Sequence, residues 1–129
     1  MHQQDLAIIK GLVSVAWADG RVADEEQEVI DALLAAYDAT PSEAGEVRKY
    51  AEKERTLQDI ELHDLSADDR RVLLQHAVLL TFIDGEQHER EKQILSDLID
   101  RLRIPPAEAK RVSEAAEARA KQLLSQAGQ

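Results

Sequence analysis

The chain has 129 residues and no cysteine, with 26 acidic against 16 basic residues and a formal net charge of −10. This length favours one domain, and the lack of cysteine excludes a disulfide framework or a thiolate metal site. The acidic balance disfavours nucleic-acid binding, because a nucleic-acid partner needs a basic face to neutralise its phosphates.

The composition predicts an all-α fold. Alanine, leucine, glutamate and arginine are frequent, glycine and proline are few, and no segment shows sustained alternation of apolar and polar residues. The N-terminus lacks the basic start and apolar run of a signal peptide, and the apolar stretch from 72 to 83 is too short and too polar to span a bilayer. We therefore predict a cytoplasmic protein without an integral membrane segment.

Three helices are predicted in the first half of the chain. Apolar residues at helical spacing indicate a helix over about 5–18, and Gly20 suits the left-handed position just past its end. A second helix is expected over about 24–39, with three acids in its first turn. Thr40, Pro41 and Glu43 form a capping-box pattern, which predicts a third helix over about 41–55.

Residues 56–65 read as a connector with a short helix, and Ser66 then begins another capping-box pattern. A mostly apolar helix is expected from there to about Ile83, and we predict it to be the most buried element. Two further helices are predicted over about 89–102 and 106–125. His76, on the apolar helix, is expected to be hydrogen-bonded at a packing edge rather than to be a ligand.

The most informative feature of the chain is a pattern that occurs twice. Asp19-Gly20 with Glu26 recurs as Asp84-Gly85 with Glu91, and the spacing from Asp to Glu is the same in both copies. We call the displacement from Asp19 to Asp84 the repeat shift. It also relates apolar positions and the proline starts of two helices, which gives a repeat over about 6–55 and 71–120.

The repeat predicts the architecture. We predict one domain, 1–129, built as a helical bundle of two similar three-helix halves. The halves are expected to pack around a pseudo-twofold axis and not to fold separately, because one half has two apolar-faced helices and nothing to bury them against.

The repeated acids have two interpretations. Each Asp ends one helix and each Glu lies in the first turn of the next, so each Glu could simply accept hydrogen bonds from free backbone N–H groups. Alternatively, a divalent cation could compensate the two close carboxylates. His88 lies three positions before Glu91 and would add a nitrogen ligand, but its counterpart in the first half is Ala23, so such a site would not be symmetric.

Motifs of catalysis are missing from the sequence. It contains no glycine-rich phosphate loop, no Gly-x-Ser-x-Gly and no His-Glu-x-x-His. We therefore predict a binding role and not an enzyme.

The segment Val15-Ala16-Trp17-Ala18-Asp19-Gly20, followed by Val22 and Asp24-Glu25-Glu26, resembles the TerB tellurite-resistance family. The second signature and the segment 103–108 are similar to the second half of that family, and the module also resembles a cytoplasmic domain of DjlA-type co-chaperones. The resemblance implies an all-helical domain of two similar halves, a link to tellurite or other chemical stress, and acids that bind divalent cations. By motif position these acids are Asp19, Glu26, Asp84 and Glu91.

Two functions follow as expectations. The first is a stress-response domain that binds a divalent cation through these four carboxylates and His88, with calcium favoured over zinc because carboxylates suit a hard cation. The second is an interaction module without metal. Residues 1–65 hold 15 acidic and 6 basic residues, so this acidic half could bind a basic or membrane-associated protein partner.

Overall fold

The structure is a computed structural model that describes residues 3–18, 20, 22–82 and 89–127, with side chains up to residue 122. Within these residues the chain is all-helical, as predicted. The helices are α1 (Gln3–Trp17), α2 (Asp24–Ala36), α3 (Pro41–Ala51), α4 (Ala67–Thr81), α5 (Glu89–Leu102) and α6 (Pro106–Ala127). Two short 3-10 helices between α3 and α4, at Leu57–Asp59 and Leu62–Asp64, form the connector.

The helix starts are fixed by local hydrogen bonds. At α3 the Thr40 hydroxyl accepts from the backbone N–H of Glu43, and the Glu43 carboxylate accepts from the N–H of Thr40. Ser66 and Asp69 make the same reciprocal pair at α4. Both capping boxes were predicted from sequence, since each satisfies N–H groups that the first turn of a helix leaves without a partner.

The ends of α2 and α3 come earlier than predicted. Helix α2 stops at Ala36, not 39, because Asp38 takes a positive φ of 55° and the N–H of Ala39 returns to the carbonyl of Leu34. Helix α3 stops at Ala51, not 55, and the indole N–H of Trp17 donates to the Ala51 carbonyl at 2.9 Å. A tertiary contact thus satisfies one of the carbonyls that a helix end leaves open.

Helices α1 and α4 lie against each other in the centre of the bundle. Helix α1 also packs on α2, α3 and the connector, and α4 packs on α5 and α6. The prediction that α4 is the most buried element is wrong: α1 has eight buried residues and α4 has six. The reason is that α4 begins with a charged turn, Asp68 to Arg71, that stays partly in solvent, whereas all residues of α1 from 11 to 16 are buried.

Gly11 of α1 lies close to the side chain of Leu73 on α4. A Cβ atom at this position would lie 2.7 Å from Cδ2 of Leu73, whose side chain is fully buried. A side chain at position 11 would force the buried Leu73 side chain to shift, so glycine serves here to admit a side chain from the neighbouring helix and not to give backbone freedom.

The repeat shift of the sequence is also found in backbone details. It relates Asp38 to Arg103, and both residues have positive φ, at 55° and 57°. The hydrogen bond from the N–H of Ala39 to the carbonyl of Leu34 has a counterpart from Ile104 to Ile99. The arrangement of the two halves about a twofold axis stays a prediction.

Two arginines hold the connector against the second half. The guanidinium of Arg101 on α5 donates to the carbonyls of Leu57, Gln58 and Ile60. Arg70 on α4 donates to the carbonyls of Leu62, Leu65 and Leu102. These bonds give connector carbonyls a charged donor from the second half, in addition to the bonds that Leu57 and Leu62 accept within their own 3-10 turns.

Candidate functional site

The predicted cation ligands are only partly within the described residues. Asp19, Asp84 and His88 lie outside them, so their positions relative to the other acids stay predictions. Glu26 and Glu91 are described, and each is the third residue of its helix.

Glu26 lies at the start of α2 and is half-buried. Its Oε1 atom accepts a hydrogen bond from the backbone N–H of Ala23 at 2.9 Å. This confirms the capping interpretation for Glu26: the carboxylate folds back over the first turn, where it also complements the positive end of the helix dipole. The same orientation directs the carboxylate toward the preceding turn.

Glu91 occupies the corresponding place in α5. The residue is half-buried, and its Oε2 atom is buried from solvent. A carboxylate in such a place is stabilised by hydrogen bonds to helix N–H groups or by a cation. The donor chemistry of Glu26 and Glu91 thus fits a hard cation. However, no three His, Asp or Glu side chains within the described part of the chain are close enough to hold an ion.

His76 lies between helices, as expected for a histidine at a packing edge. Its Nε2 atom is 3.4 Å from the hydroxyl oxygen of Tyr37, at the end of α2. Burial lowers the pKa of the His76 imidazole. Burial also raises the pKa of the Tyr37 hydroxyl, and the negative charges of Asp5 and Asp69 raise it further. Both groups are therefore neutral near pH 7.

A feature that the sequence did not indicate is a cavity of about 300 Å³ between α1, α3 and the connector. Leu6, Ala7 and Ile60 line its apolar part. The charged groups that line it are Lys10 on α1, Glu46 on α3, and Asp59, Glu61 and Asp64 on the connector.

Lys10 is held on one side of this cavity. Its Nζ atom lies 3.1 Å from Oε1 of Glu46 and 5.5 Å from the centre of the Tyr50 ring. The same ring also carries the guanidinium of Arg55, at 3.8 Å from the ring centre. Glu46 and the ring of Tyr50 thus interact with two cationic side chains of the protein itself, Lys10 and Arg55.

The connector side of the cavity is acidic. Asp59 accepts from the N–H of Thr56, and the exposed imidazole of His63 lies 3.6 Å from Glu61 and 3.7 Å from Asp64. The sequence predicts for these acids only a place in the connector. Their spacing carries no signal of a site, because the contact of the connector with α1 is tertiary.

The described residues thus define an all-helical domain with acids at the starts of α2 and α5 and along the connector. A family model for the tellurite resistance protein TerB matches residues 5–114. The chain therefore belongs to the TerB family. No curated protein and no solved structure matches it. None of the described helices has the length and apolar character needed to cross a membrane.

Proposed function

We propose that this TerB-family chain acts in the response to tellurite or related chemical stress as a cytoplasmic, non-enzymatic domain that binds a divalent cation. The observation that carries the proposal is the pair of acids Glu26 and Glu91, which stand at the third position of two helices related by the repeat shift. Each follows a turn in which the sequence places an aspartate, Asp19 or Asp84. His88 would add a nitrogen ligand at the second turn.

The ligand chemistry favours calcium over zinc. Four carboxylates would supply oxygen atoms, which calcium prefers, and the chain has no cysteine to attract a softer metal. The cation would neutralise carboxylates that we expect to lie close together in the folded protein, and so would stabilise the folded protein over the unfolded chain.

Calcium-dependent stability tests the proposal. Calcium at about 100 times its Kd adds about 2.7 kcal/mol to the free energy of unfolding, which is a rise in Tm of roughly 10 °C for a domain of this size. We expect this rise in the chelator-treated wild-type protein and its loss in the double variant Asp19→Asn/Asp84→Asn.

The matched control is Asp24→Asn/Glu89→Gln. It removes two acids that are also related by the repeat shift and also lie in the first turns of α2 and α5, but that are not predicted ligands. The control should keep the calcium response. A wild-type Tm that calcium, magnesium, manganese and zinc all leave unchanged would rule the proposal out.

The acidic wall of the cavity supports a second candidate function, an interaction module for a basic or membrane-associated protein partner. Asp59, Glu61 and Asp64 line the cavity together, and Lys10 is the one basic residue among those that line it within the described part of the chain. This function requires no metal. It predicts partner binding that weakens as salt screens the charges.

A further inference from the structure

We infer that the cavity between α1, α3 and the connector binds a lysine or arginine side chain from a basic segment of a protein partner. The inference rests on the second candidate function and assigns it a site. It is carried by the size of the cavity, by the apolar and charged residues that line it and by the position of Lys10 on one side of it.

The size of the cavity limits what it can hold. A volume of about 300 Å³ is at the lower end of the range found for small-molecule sites. It suits a single long side chain and is too small for a nucleotide cofactor. The entrance is open to a chain approaching from solvent, because Gln3, Glu46 and Glu61 on its rim are exposed.

The lining matches the two parts of a long basic side chain. Leu6, Ala7 and the buried Ile60 offer apolar surface for its methylene groups. Glu61 and Asp64 offer carboxylates for its charged end, and the basic group beside them is the exposed His63. The apolar lining thus suits the methylene groups of a lysine or arginine side chain, and the carboxylates suit its charged end.

Lys10 shows how the cavity treats a cation. Its ammonium group is held by the carboxylate of Glu46 and lies over the ring of Tyr50. Because Lys10 carries positive charge into the cavity, it repels an incoming basic side chain and competes with it for these acceptors. Lys10 therefore acts as an internal competitor that lowers the affinity for the partner.

The test is a titration of the ¹⁵N-labelled full chain, followed by NMR at low ionic strength. The probe is a synthetic peptide of lysines separated by glycine and serine, blocked at both ends so that its only charges are on side chains. We expect concentration-dependent shifts at the amides of Leu6, Tyr50 and Glu61.

Removal of the acidic wall should weaken binding. The double variant Glu61→Gln/Asp64→Asn should bind the peptide roughly fivefold more weakly or worse, because two charge contacts are lost. Its control, Glu28→Gln/Glu54→Gln, removes two exposed acids of the same half that do not line the cavity. The control should bind within about twofold of the wild type.

Removal of the competitor should strengthen binding. Lys10→Met keeps the apolar stem and loses the charge, and we expect a gain in affinity of roughly threefold or more. Lys53→Met makes the same change of charge at an exposed residue that does not line the cavity and should have a smaller effect. This gain does not depend on whether the acidic-wall variant folds.

The outcomes separate the site from the function. If the Glu28/Glu54 control weakens peptide binding as much as the Glu61/Asp64 variant does, the cavity is not the binding site. The proposal of an acidic interaction module would then still stand. Absence of any peptide binding at low salt would overturn both. If spermidine shifts the same amides and the peptide does not, the cavity takes a free amine and the assignment to a protein segment is wrong.

Discussion

At the scale of single residues, the pairing of His76 with Tyr37 ties the end of α2 to α4. The imidazole is kept neutral because burial penalises its charged form. The charged groups nearby are Asp5 and Asp69, which act on Tyr37, and Arg119 of α6, which lines the same surface cavity as His76. A proton added to His76 would thus be placed in a half-buried position between packed helices.

This arrangement predicts a dependence of stability on pH. The pKa of His76 is lowered in the folded protein below its ordinary value of 6.5, so the unfolded chain takes up this proton first as the pH falls. The contribution of His76 to the free energy of unfolding is full above about pH 6.5. It is lost progressively as the pH falls from there toward the lowered pKa of His76 in the folded protein. Urea unfolding at pH 7.5, 6.5 and 5.5 measures it.

The variant His76→Gln is the reference for that measurement. It keeps a polar group near Tyr37 and removes the titration, while the carboxylates of the chain stay as they are. The free energy of unfolding should fall less steeply with pH in His76→Gln than in the wild type. Equal slopes for the two proteins would show that His76 does not contribute.

Residues with local partners could be predicted from sequence, and residues with distant partners could not. A capping role was one of the two interpretations of Glu26, and it could be read from sequence because the partner, the N–H of Ala23, is near in the chain. That His76 is hydrogen-bonded was predicted, but its partner Tyr37 belongs to a distant segment. The cavity at Lys10 is lined by residues of two helices and the connector. Sequence periodicity predicts single helices and does not predict which segments line a cavity together.

At the scale of the elements, helix starts were predicted more accurately than helix ends. The starts of α2, α3, α4 and α5 agree with the predictions because caps, proline and first-turn acids are read within a single turn. The ends of α2 and α3 depend on the positive φ of Asp38 and on the contact of Trp17 with Ala51. Trp17 belongs to a different helix, so this end could not be derived from the sequence of α3.

The capping box of α3 gives a prediction at this scale. Thr40→Ala removes the side-chain acceptor for the N–H of Glu43 and should lower the free energy of unfolding by about 1 kcal/mol. The backbone N–H of Thr40 also holds the pKa of the Glu43 carboxyl below its ordinary value.

The control is Ser42→Ala, a change at an exposed residue in the same turn. It should leave the free energy of unfolding within about 0.5 kcal/mol of the wild-type value. Urea denaturation compares the two, and equal losses would contradict the cap.

At the scale of the whole molecule, the two halves share one core. The buried face of α1 is covered in part by α4, and the connector is tied by Arg70 and Arg101 to elements of the second half. Each half alone would expose the apolar surface along which α1 and α4 meet, which is costly in water. The same argument, that one half cannot bury its apolar faces alone, predicted from sequence that residues 1–129 form one domain. This prediction can be tested directly.

We expect fragments 1–55 and 66–129 to be largely unfolded when separate. Circular dichroism of the separate fragments should show a helix content well below that of α1 to α6 in the full chain. Mixing the two fragments should raise the helix content if they reassemble. A mixture of 1–65 with 66–129 should reassemble more strongly, since it keeps the carbonyls that Arg70 and Arg101 bind. Cooperative unfolding of an isolated fragment would show that the halves are independent.

The close contact of Gly11 with Leu73 has a consequence for how such chains diverge. Because a Cβ at position 11 would lie 2.7 Å from Leu73, the two sites are not free to change one at a time. Gly11→Ala alone should be disfavoured, and Gly11→Ala combined with Leu73→Val should be better tolerated than Gly11→Ala alone. Over evolutionary time, positions 11 and 73 should therefore covary, with bulk at one site compensated by loss of bulk at the other.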